Sequence, residues 1–286
     1  MKKIEIELSG GLGNQLFQYA KFIDMKDNLS KNEFEVFLVE KKLSLEFKAR
    51  CRCRLSELLE LGSGFFVKKS FFRDFLFFLN KKNILKKYAL YEDDWWKVKG
   101  EFGLESLNFK SDVRVRSLFQ KKPSLKSLNI IKKEYLSKEK NKECLFNLDE
   151  AYSVIHIRLG DYLTSRVAIE EIGVLPEKYF KVAYEKILEK SKNLYIVTNG
   201  SVGEVKKIFG EEFPEERVVN NLNDIDSFCF ISGAEFIAIA NSTFSLWAAY
   251  LSDARKVYCP SKWMISKDIK KDFKGLYFDD WEIISY

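Results

Sequence analysis

An imidazole, a guanidinium and a carboxylate lie close together in the chain, at His156, Arg158 and Asp161. A strand with alternating faces places Tyr152, Val154, His156 and Arg158 on one side, and this side becomes polar only at its carboxyl end. Ligands of open α/β sheets bind outside the carboxyl ends of the strands, and guanidinium groups favour carboxylates and phosphates. The pattern therefore predicts an anion site. A buried histidine and arginine with purely structural partners is the competing interpretation.

A glycine-rich turn near the amino terminus is a second candidate for anion binding. Alternating apolar residues over 4–8 predict a strand. After Gly11 and Gly13, apolar residues with helical spacing begin at Leu16. Such a turn lets a ligand approach the backbone and presents free helical N–H groups to it. Because Leu16 stands where a dinucleotide fingerprint requires its third glycine, the pattern disfavours an oxidoreductase. A tight turn without a ligand remains the alternative.

A hydroxyl-rich turn at 241–245 is the third candidate, because it follows a predicted strand and begins a predicted helix. Hydroxyls and unpaired N–H groups at a helix amino terminus can hold phosphate, although an ordinary helix cap has the same composition. Asp224 and Asp226, and the pair Asp93 and Asp94, resemble metal ligands. Helix capping and solvated surface explain these acidic residues better, so we predict no metal site.

The elements that position these residues are clearest after residue 150. Strands and helices alternate at least four times there, with helices predicted over 202–209 and 224–232, which indicates a parallel Rossmann-like sheet. Residues 121–142 are rich in Lys and Ser and are the best linker candidate, although Ile131 and Tyr135 belong to a set of apolar residues that suits a helix. We place the domain change near residue 145.

Composition predicts a globular protein of about two domains, with 286 residues, 46% hydrophobic and 31% charged. A net charge of +6 favours anionic partners such as nucleotides or lipid head groups. Five irregularly spaced cysteines indicate neither a disulfide framework nor a zinc site, and reduced thiols in a cytosol fit best. The charged amino terminus and the lack of eighteen consecutive apolar residues predict neither a signal peptide nor a membrane span.

Segment 65–88 combines phenylalanines with basic residues, as interfacial helices do. The residues are Phe65, Phe66, Phe71, Phe72, Phe75, Phe77, Phe78, Lys68, Lys69, Arg73, Lys81, Lys82, Lys86 and Lys87, and the segment ends at Tyr88. A core helix with a solvated basic face explains the same composition. Peripheral contact with a membrane surface is therefore one of two interpretations.

Three stretches together resemble the signatures of the α-1,2-fucosyltransferase family in order and spacing, and they span nearly the whole chain. They are Gly10-Gly11-Leu12-Gly13-Asn14-Gln15-Leu16-Phe17-Gln18-Tyr19-Ala20, His156-Ile157-Arg158-Leu159-Gly160-Asp161-Tyr162 and Asn241-Ser242-Thr243-Phe244-Ser245-Leu246-Trp247-Ala248-Ala249-Tyr250-Leu251. The segment 174–180 also resembles the family between its second and third motifs.

The resemblance implies an α/β fold of GT-B type, with two Rossmann-like domains facing a cleft. Residues 1–145 would form the acceptor-side domain and 146–286 the domain that binds the GDP-sugar, and the last helix can return to the first domain. The implied activity is inverting transfer of L-fucose from GDP-fucose to the 2-hydroxyl of a galactoside in a bacterial-type surface glycan such as an O-antigen or capsule. The GDP-sugar is a substrate, and neither a cofactor nor a metal is implied.

The predicted catalytic residues are Arg158, His156 and Asp161. Arg158 would stabilise the departing diphosphate, His156 would orient the acceptor or a phosphate or act as the base, and Asp161 would hold Arg158 or accept the acceptor's proton. The predicted donor-binding residues are Gly11, Gly13, Asn14, Gln15, Arg158, Thr198, Asn199, Asn241, Ser242, Thr243, Phe244 and Ser245.

Two positions depart from the family pattern. Leu159 stands where members carry a basic residue, and Thr198-Asn199-Gly200 replaces their common Ser-Asp-Asp. Alternatives are therefore transfer of another GDP-deoxyhexose such as colitose, a non-catalytic sugar-nucleotide or glycan-binding module, or a membrane-surface scaffold. The expected partners are a GDP-sugar and a galactose-containing, lipid-linked glycan, without nucleic acid. The expected location is cytoplasmic, with peripheral attachment at the inner membrane face.

Overall fold

A computed structural model describes residues 2–28, 34–40, 53–61, 67–68, 89–92, 112–138, 150–166, 168–264 and 273–286. The chain divides into two compact units, residues 1–137 and 138–286. No helix among the described residues is both long enough and apolar enough to cross a membrane. Asp93, Asp94 and nearly all of segment 65–88 lie outside the described residues.

The first unit contains a five-stranded parallel sheet. Its strands are β1 (Lys2–Leu8), β2 (Phe34–Glu40), β3 (Val67–Lys68), β4 (Ala89–Glu92) and β5 (Val113–Arg116). They lie in the order β3-β2-β1-β5-β4, with every neighbouring pair parallel. The helices in the described part of this unit are α1 (Leu12–Asn28), α2 (Leu55–Leu58) and α3 (Leu125–Ser137). Strand β1 therefore has a neighbour on each side and lies in the centre of the sheet.

Central position explains why both faces of β1 are buried. Ile4, Ile6 and Leu8 form its apolar face, and the alternating Glu5 and Glu7 are buried as well. The carboxylates pair across the ladder with β5: Glu5 Oε2 lies 2.8 Å from Arg114 Nη2, and Glu7 Oε1 lies 2.8 Å from Arg116 Nε. Removing one partner of such a pair is costly because it strands a buried charge.

Helix α3 occupies most of the stretch predicted as a linker. Leu128, Ile131 and Tyr135 form its buried face, and Tyr19 of α1 donates its hydroxyl to both carboxylate oxygens of Glu134, at 2.9 and 3.0 Å. The helical alternative is therefore confirmed for 125–137, while the boundary between the units still falls within the predicted stretch 121–142. The division between the units follows α3, a few residues before the predicted change at 145.

The second unit contains a six-stranded parallel sheet. Its strands are β6 (Ser153–Ile157), β7 (Leu194–Thr198), β8 (Val218–Val219), β9 (Phe236–Ala238), β10 (Lys256–Pro260) and β11 (Glu282–Ile284). Among the residues described there, the α-helices are α4 (Asp161–Thr164), α5 (Glu177–Leu188), α6 (Val202–Phe209), α7 (Asp224–Ser232) and α8 (Thr243–Leu251). A π-helix spans Ala168–Ile172, and 3₁₀ turns span Glu215–Arg217 and Phe273–Leu276.

Strand β6 is covered on both faces. Ile155 and Ile157 pack into a cluster with Tyr179 and Phe180 of α5. On the opposite face the Tyr152 ring stacks on Phe230 of α7, with ring centroids 4.6 Å apart. Two tandem parallel α/β units of this kind confirm the predicted fold class.

Candidate functional site

The strand order of the second sheet defines where its site lies. The order β11-β10-β9-β6-β7-β8 is the 6-5-4-1-2-3 arrangement of Rossmann folds when β6 is counted first. The connections leave β6 in opposite directions, so β6 and β9 flank the switch point where such sheets bind ligands. Pairing between β6 and β9 ends at Ile155, whereas pairing between β6 and β7 continues to Ile157. The sheet therefore opens beside His156.

His156 lies buried at this opening and is uncharged at neutral pH. Burial, reinforced by the nearby Arg158, lowers the pKa of His156 to about 3. Its ring centroid lies 5.8 Å from that of Phe244 at the start of α8. Among the described residues, no group forms a hydrogen bond with His156 Nδ1, although this atom is buried. Such low basicity favours an orienting role for His156 over the role of base.

Arg158 is half-buried at the carboxyl end of β6, and an aromatic ring supports its guanidinium group. The guanidinium carbon lies 5.7 Å from the Tyr162 ring centroid, within cation–π range. The Tyr162 hydroxyl donates to the backbone carbonyl of Asn241 at 3.0 Å. Tyr162 thus connects the end of β6 with the segment after β9, across the switch point.

Sequence reasoning did not assign a role to Tyr162. The available signal was its position four residues after Arg158. A strand that is followed directly by a helical turn can place these two side chains next to each other. Asp161 begins α4, but the position of its carboxylate lies outside what the structure describes. Its two predicted roles therefore remain predictions.

Asn241 ties together three backbone segments. Its buried Nδ2 donates to the carbonyls of Gly173 at 2.9 Å and Trp263 at 3.0 Å. The first carbonyl follows the π-helix and the second follows β10. These contacts show that Asn241 holds neighbouring backbone segments together. They do not test its predicted role in binding the donor.

The turn after Asn241 forms a capped helix amino terminus. Ser242 is the cap of α8 and accepts a hydrogen bond from Phe244 N, while the buried Ser245 hydroxyl donates to the Ser242 carbonyl. Thr243 and Phe244 are half-buried beside the opening. The positive end of the α8 dipole and Arg158 therefore follow neighbouring parallel strands at the same edge of the sheet, an arrangement that attracts an anion.

Thr198 and Asn199 end β7 on the other side of β6. The Thr198 hydroxyl accepts from Gly200 N at 3.0 Å, and Asn199 Oδ1 accepts from Leu159 N at 2.8 Å. The predicted residues on β6, β7 and the β9–α8 turn therefore meet at one edge of the sheet.

In the first unit, the glycine turn is held by glutamines. Gln15 donates to Gly10 O at 3.2 Å and accepts from Arg54 N at 2.9 Å, so its carboxamide shapes the turn. Asn14 Oδ1 accepts from Gln120 Nε2 at 2.9 Å. A Cβ at the exposed Gly11 would meet nothing within 4 Å, whereas Gly13 is buried in α1. This turn lies at the β1–β5 switch point of its own sheet.

Asp224 and Asp226, the alternative metal motif, lie in the first turn of α7. Asn223 caps this helix by accepting from Ile225 N at 2.9 Å and Asp226 N at 3.0 Å, and its Nδ2 donates to the Asp226 carboxylate. The motif therefore belongs to a helix cap, as expected.

A Rossmann-ordered sheet with an arginine and a helix amino terminus at its switch point defines an α/β protein whose sheet edge suits an anionic nucleotide-type ligand. The chain belongs to glycosyl transferase family 11, whose model matches residues 1–285. This membership confirms the resemblance drawn from the three motifs and identifies the protein as a glycosyltransferase.

Two curated relatives from Escherichia coli align with almost the whole chain. The O-antigen biosynthesis glycosyltransferase WbnK is 28% identical, over 96% of this chain and 98% of its own. An alpha-1,2-colitosyltransferase is 27% identical, over 94% and 95%. Among solved structures, the E. coli heptosyltransferase WaaC with ADP aligns with a TM-score of 0.47 and 14% identity, over 99% of this chain and 92% of that chain.

Proposed function

We propose that this glycosyltransferase moves L-fucose from GDP-fucose to the 2-hydroxyl of a galactoside in a bacterial-type surface glycan, with inversion at the anomeric carbon. The motifs that resemble α-1,2-fucosyltransferases support this reaction. One relative, WbnK, is an O-antigen biosynthesis glycosyltransferase, which supports a surface glycan as the product. The other relative transfers colitose, so a different GDP-deoxyhexose is the second candidate donor.

The observation that carries the proposal is that Arg158 and the amino terminus of α8 follow the neighbouring strands β6 and β9 at the switch point. Arg158 on one side and the amino terminus of α8 on the other supply positive potential where a Rossmann sheet holds phosphates. A GDP diphosphate placed there would contact the guanidinium group. Its sugar would then lie outside the sheet edge, open to an acceptor.

The proposed reaction exchanges one carbon–oxygen bond for another. The acceptor oxygen forms a bond to the sugar's anomeric carbon while the bond from that carbon to the β-phosphate oxygen breaks, and the electron pair leaves with GDP. Arg158 stabilises the charge that develops on the diphosphate. The acceptor's proton passes to a base, for which Asp161 is the better candidate because His156 is so weakly basic.

We also propose that transfer needs no metal ion. Arg158 and the α8 dipole supply the positive charge that a divalent cation would otherwise provide, and the Asp226 carboxylate is engaged in its helix cap.

A donor screen tests the proposal. Purified protein is incubated with GDP-fucose, GDP-colitose or GDP-mannose and a β-galactoside, with and without EDTA, and GDP release is measured. We expect acceptor-dependent release from GDP-fucose that EDTA leaves unchanged, and a product whose NMR spectrum shows 2-O substitution. A 2-O-methylated galactoside is the matched control, because it lacks the attacking hydroxyl and should give no release.

Each other outcome has a distinct meaning. A higher kcat/KM with GDP-colitose than with GDP-fucose would show that GDP-colitose is the preferred donor. GDP-sugar binding without release would favour a non-catalytic binding module. Activity lost in EDTA and restored by Mg²⁺ or Mn²⁺ would contradict metal independence.

We further propose that segment 65–88 attaches the protein peripherally to the inner membrane face, where a lipid-linked acceptor would be met. The support is the mixture of phenylalanines and cations in its sequence. Anionic lipid contributes roughly 1 kcal/mol for each basic residue near the surface. Charge reversal of Lys81, Lys82, Lys86 and Lys87 should therefore lower sedimentation with anionic vesicles at low salt and spare transfer to a soluble galactoside.

The matched control reverses four exposed lysines of the second unit, Lys178, Lys190, Lys192 and Lys207. If both variants lose vesicle binding equally, net charge alone explains the attraction. If the wild type ignores anionic vesicles at low salt, the attachment proposal is wrong.

A further inference from the structure

The chain is joined to β7 and to the turn after β7 on both sides of Arg158. Ile157 precedes the arginine and pairs with Thr198 in the β6–β7 ladder. Leu159 follows it and donates its backbone N–H to Asn199 Oδ1 at 2.8 Å. The backbone is therefore joined to β7 immediately before and immediately after Arg158. The second of these links depends on a single side chain.

Two glycines allow the turns to approach this closely. A Cβ on Gly160, whose φ is +40°, would lie 2.2 Å from Asn199 Nδ2. A Cβ on Gly200 would lie 2.5 Å from Leu159 Cδ1. Real Cβ atoms do not tolerate such distances, so a side chain at Gly160 would have to displace the Asn199 carboxamide, and one at Gly200 would have to displace the Leu159 side chain.

The turn that carries Asn199 is itself well fixed. Gly200 N donates to the Thr198 hydroxyl at 3.0 Å, and Asn220 Nδ2 donates to Gly200 O at 3.2 Å. Ser201 and Glu204 then form a reciprocal capping box at the start of α6. Although Asn199 is exposed, its backbone position is determined by these bonds, and its carboxamide oxygen acts as a fixed acceptor for Leu159.

We propose that Asn199 is a positioning residue for Arg158. By holding Leu159 N–H, its carboxamide oxygen fixes the backbone from which the guanidinium group extends towards the diphosphate, while Tyr162 supports the guanidinium group itself. This inference rests on the proposed function for its kinetic part only. It assigns Asn199 a hydrogen bond to the protein in place of the predicted contact with the donor.

Substitution by leucine and by aspartate separates the two roles. Asn199→Leu keeps a similar volume but removes the acceptor, whereas Asn199→Asp keeps an oxygen that can accept from Leu159 N–H and removes the Nδ2 donor. Asn193→Leu is the matched control, because Asn193 Nδ2 bonds to Glu150 at the opposite end of β7. The readouts are kcat, KM for the GDP-sugar, GDP affinity, and hydrogen exchange at the Leu159 amide.

We expect the Leu159 amide of Asn199→Leu to exchange about 3- to 10-fold faster, the equivalent of one lost net hydrogen bond. Its kcat should fall on the order of 10²-fold, as a displaced catalytic group causes, with a smaller change in KM. Asn199→Asp should restore most of both properties, and Asn193→Leu should match the wild type.

Three results would overturn the inference. They are faster Leu159 exchange with unchanged kcat, equal losses in the leucine and aspartate variants, and a loss in Asn193→Leu as large as in Asn199→Leu. The second would show that keeping an acceptor for Leu159 N–H does not preserve activity. A wild type that transfers no sugar would contradict the proposed function alone, because amide exchange and GDP affinity still report how Asn199 acts on Arg158.

Discussion

Arg158→Ala is expected to fold normally and to lose sugar transfer by a factor on the order of 10² to 10³, the effect of removing one preorganised donor from a transition state. The side chain is half-buried at a strand end, so its loss leaves the apolar core of β6 intact. The diphosphate would then depart without the cation that balances its growing charge. Initial rates at saturating GDP-sugar, with circular dichroism to verify folding, measure the effect.

Arg158→Lys is the matched control, because it keeps the charge. We expect it to recover little activity, since an ammonium group lacks the planar fork that can bind two phosphate oxygens at once. Turnover near the wild-type rate in both variants would remove Arg158 from the mechanism. Full recovery by lysine alone would leave charge as its only contribution.

Asn241→Asp is expected to destabilise the protein more than Asn241→Ala. Alanine removes the Nδ2 hydrogen bonds, of which those to Gly173 O and Trp263 O are the shortest, and an unsatisfied buried group costs about 1–3 kcal/mol. Aspartate adds a buried carboxylate facing those carbonyls, and an uncompensated buried charge costs about 3–5 kcal/mol. Urea denaturation at pH 7 compares the two variants with the wild type.

The difference between the two variants should shrink on acidification. The new carboxyl group in Asn241→Asp is buried next to acceptors, so its pKa is raised by folding and its protonated form can donate to one carbonyl. A carboxyl group whose pKa is raised by folding lowers the stability of the protein least at a pH below its pKa in the unfolded chain. The loss of stability is complete once the pH has risen above its pKa in the folded protein. Equal stability of the two variants at pH 7, or a difference that ignores pH, would contradict the role assigned to Asn241.

The helices of the second unit were predictable from sequence because capping residues mark where they begin. The predicted helices 202–209 and 224–232 match α6 and α7, whose starts are marked by the capping residues Ser201 and Asn223. Strand β11 was missed, because three residues near the carboxyl terminus give no measurable alternation. Pairing with β10, a tertiary contact, determines it.

The first unit was less predictable, for two physical reasons. Strands β3 and β4 contain two and four residues, too few for a period to be recognised. The polar face of β1 identified a strand, but the burial of Glu5 and Glu7 depends on arginines supplied by β5, far away in the chain. Local patterns do not contain such pairings.

The site divides in the same way. Alternation along β6 and the hydroxyls before α8 placed Arg158 and Ser242 at strand ends, and the parallel sheet brings those ends together. The anchoring contacts did not follow from sequence. The Tyr162–Asn241 bond joins the segments after β6 and β9, and the Leu159–Asn199 bond joins those after β6 and β7. Both bonds therefore depend on which strands are neighbours in the sheet.

A crystal structure of the protein with GDP tests the central claim most directly. We predict that the diphosphate lies between the carboxyl ends of β6 and β9, with the Arg158 guanidinium group within hydrogen-bonding distance of its oxygens and the amino terminus of α8 facing it. GDP bound with its diphosphate away from Arg158, or held only by the glycine turn of the first unit, would contradict the account.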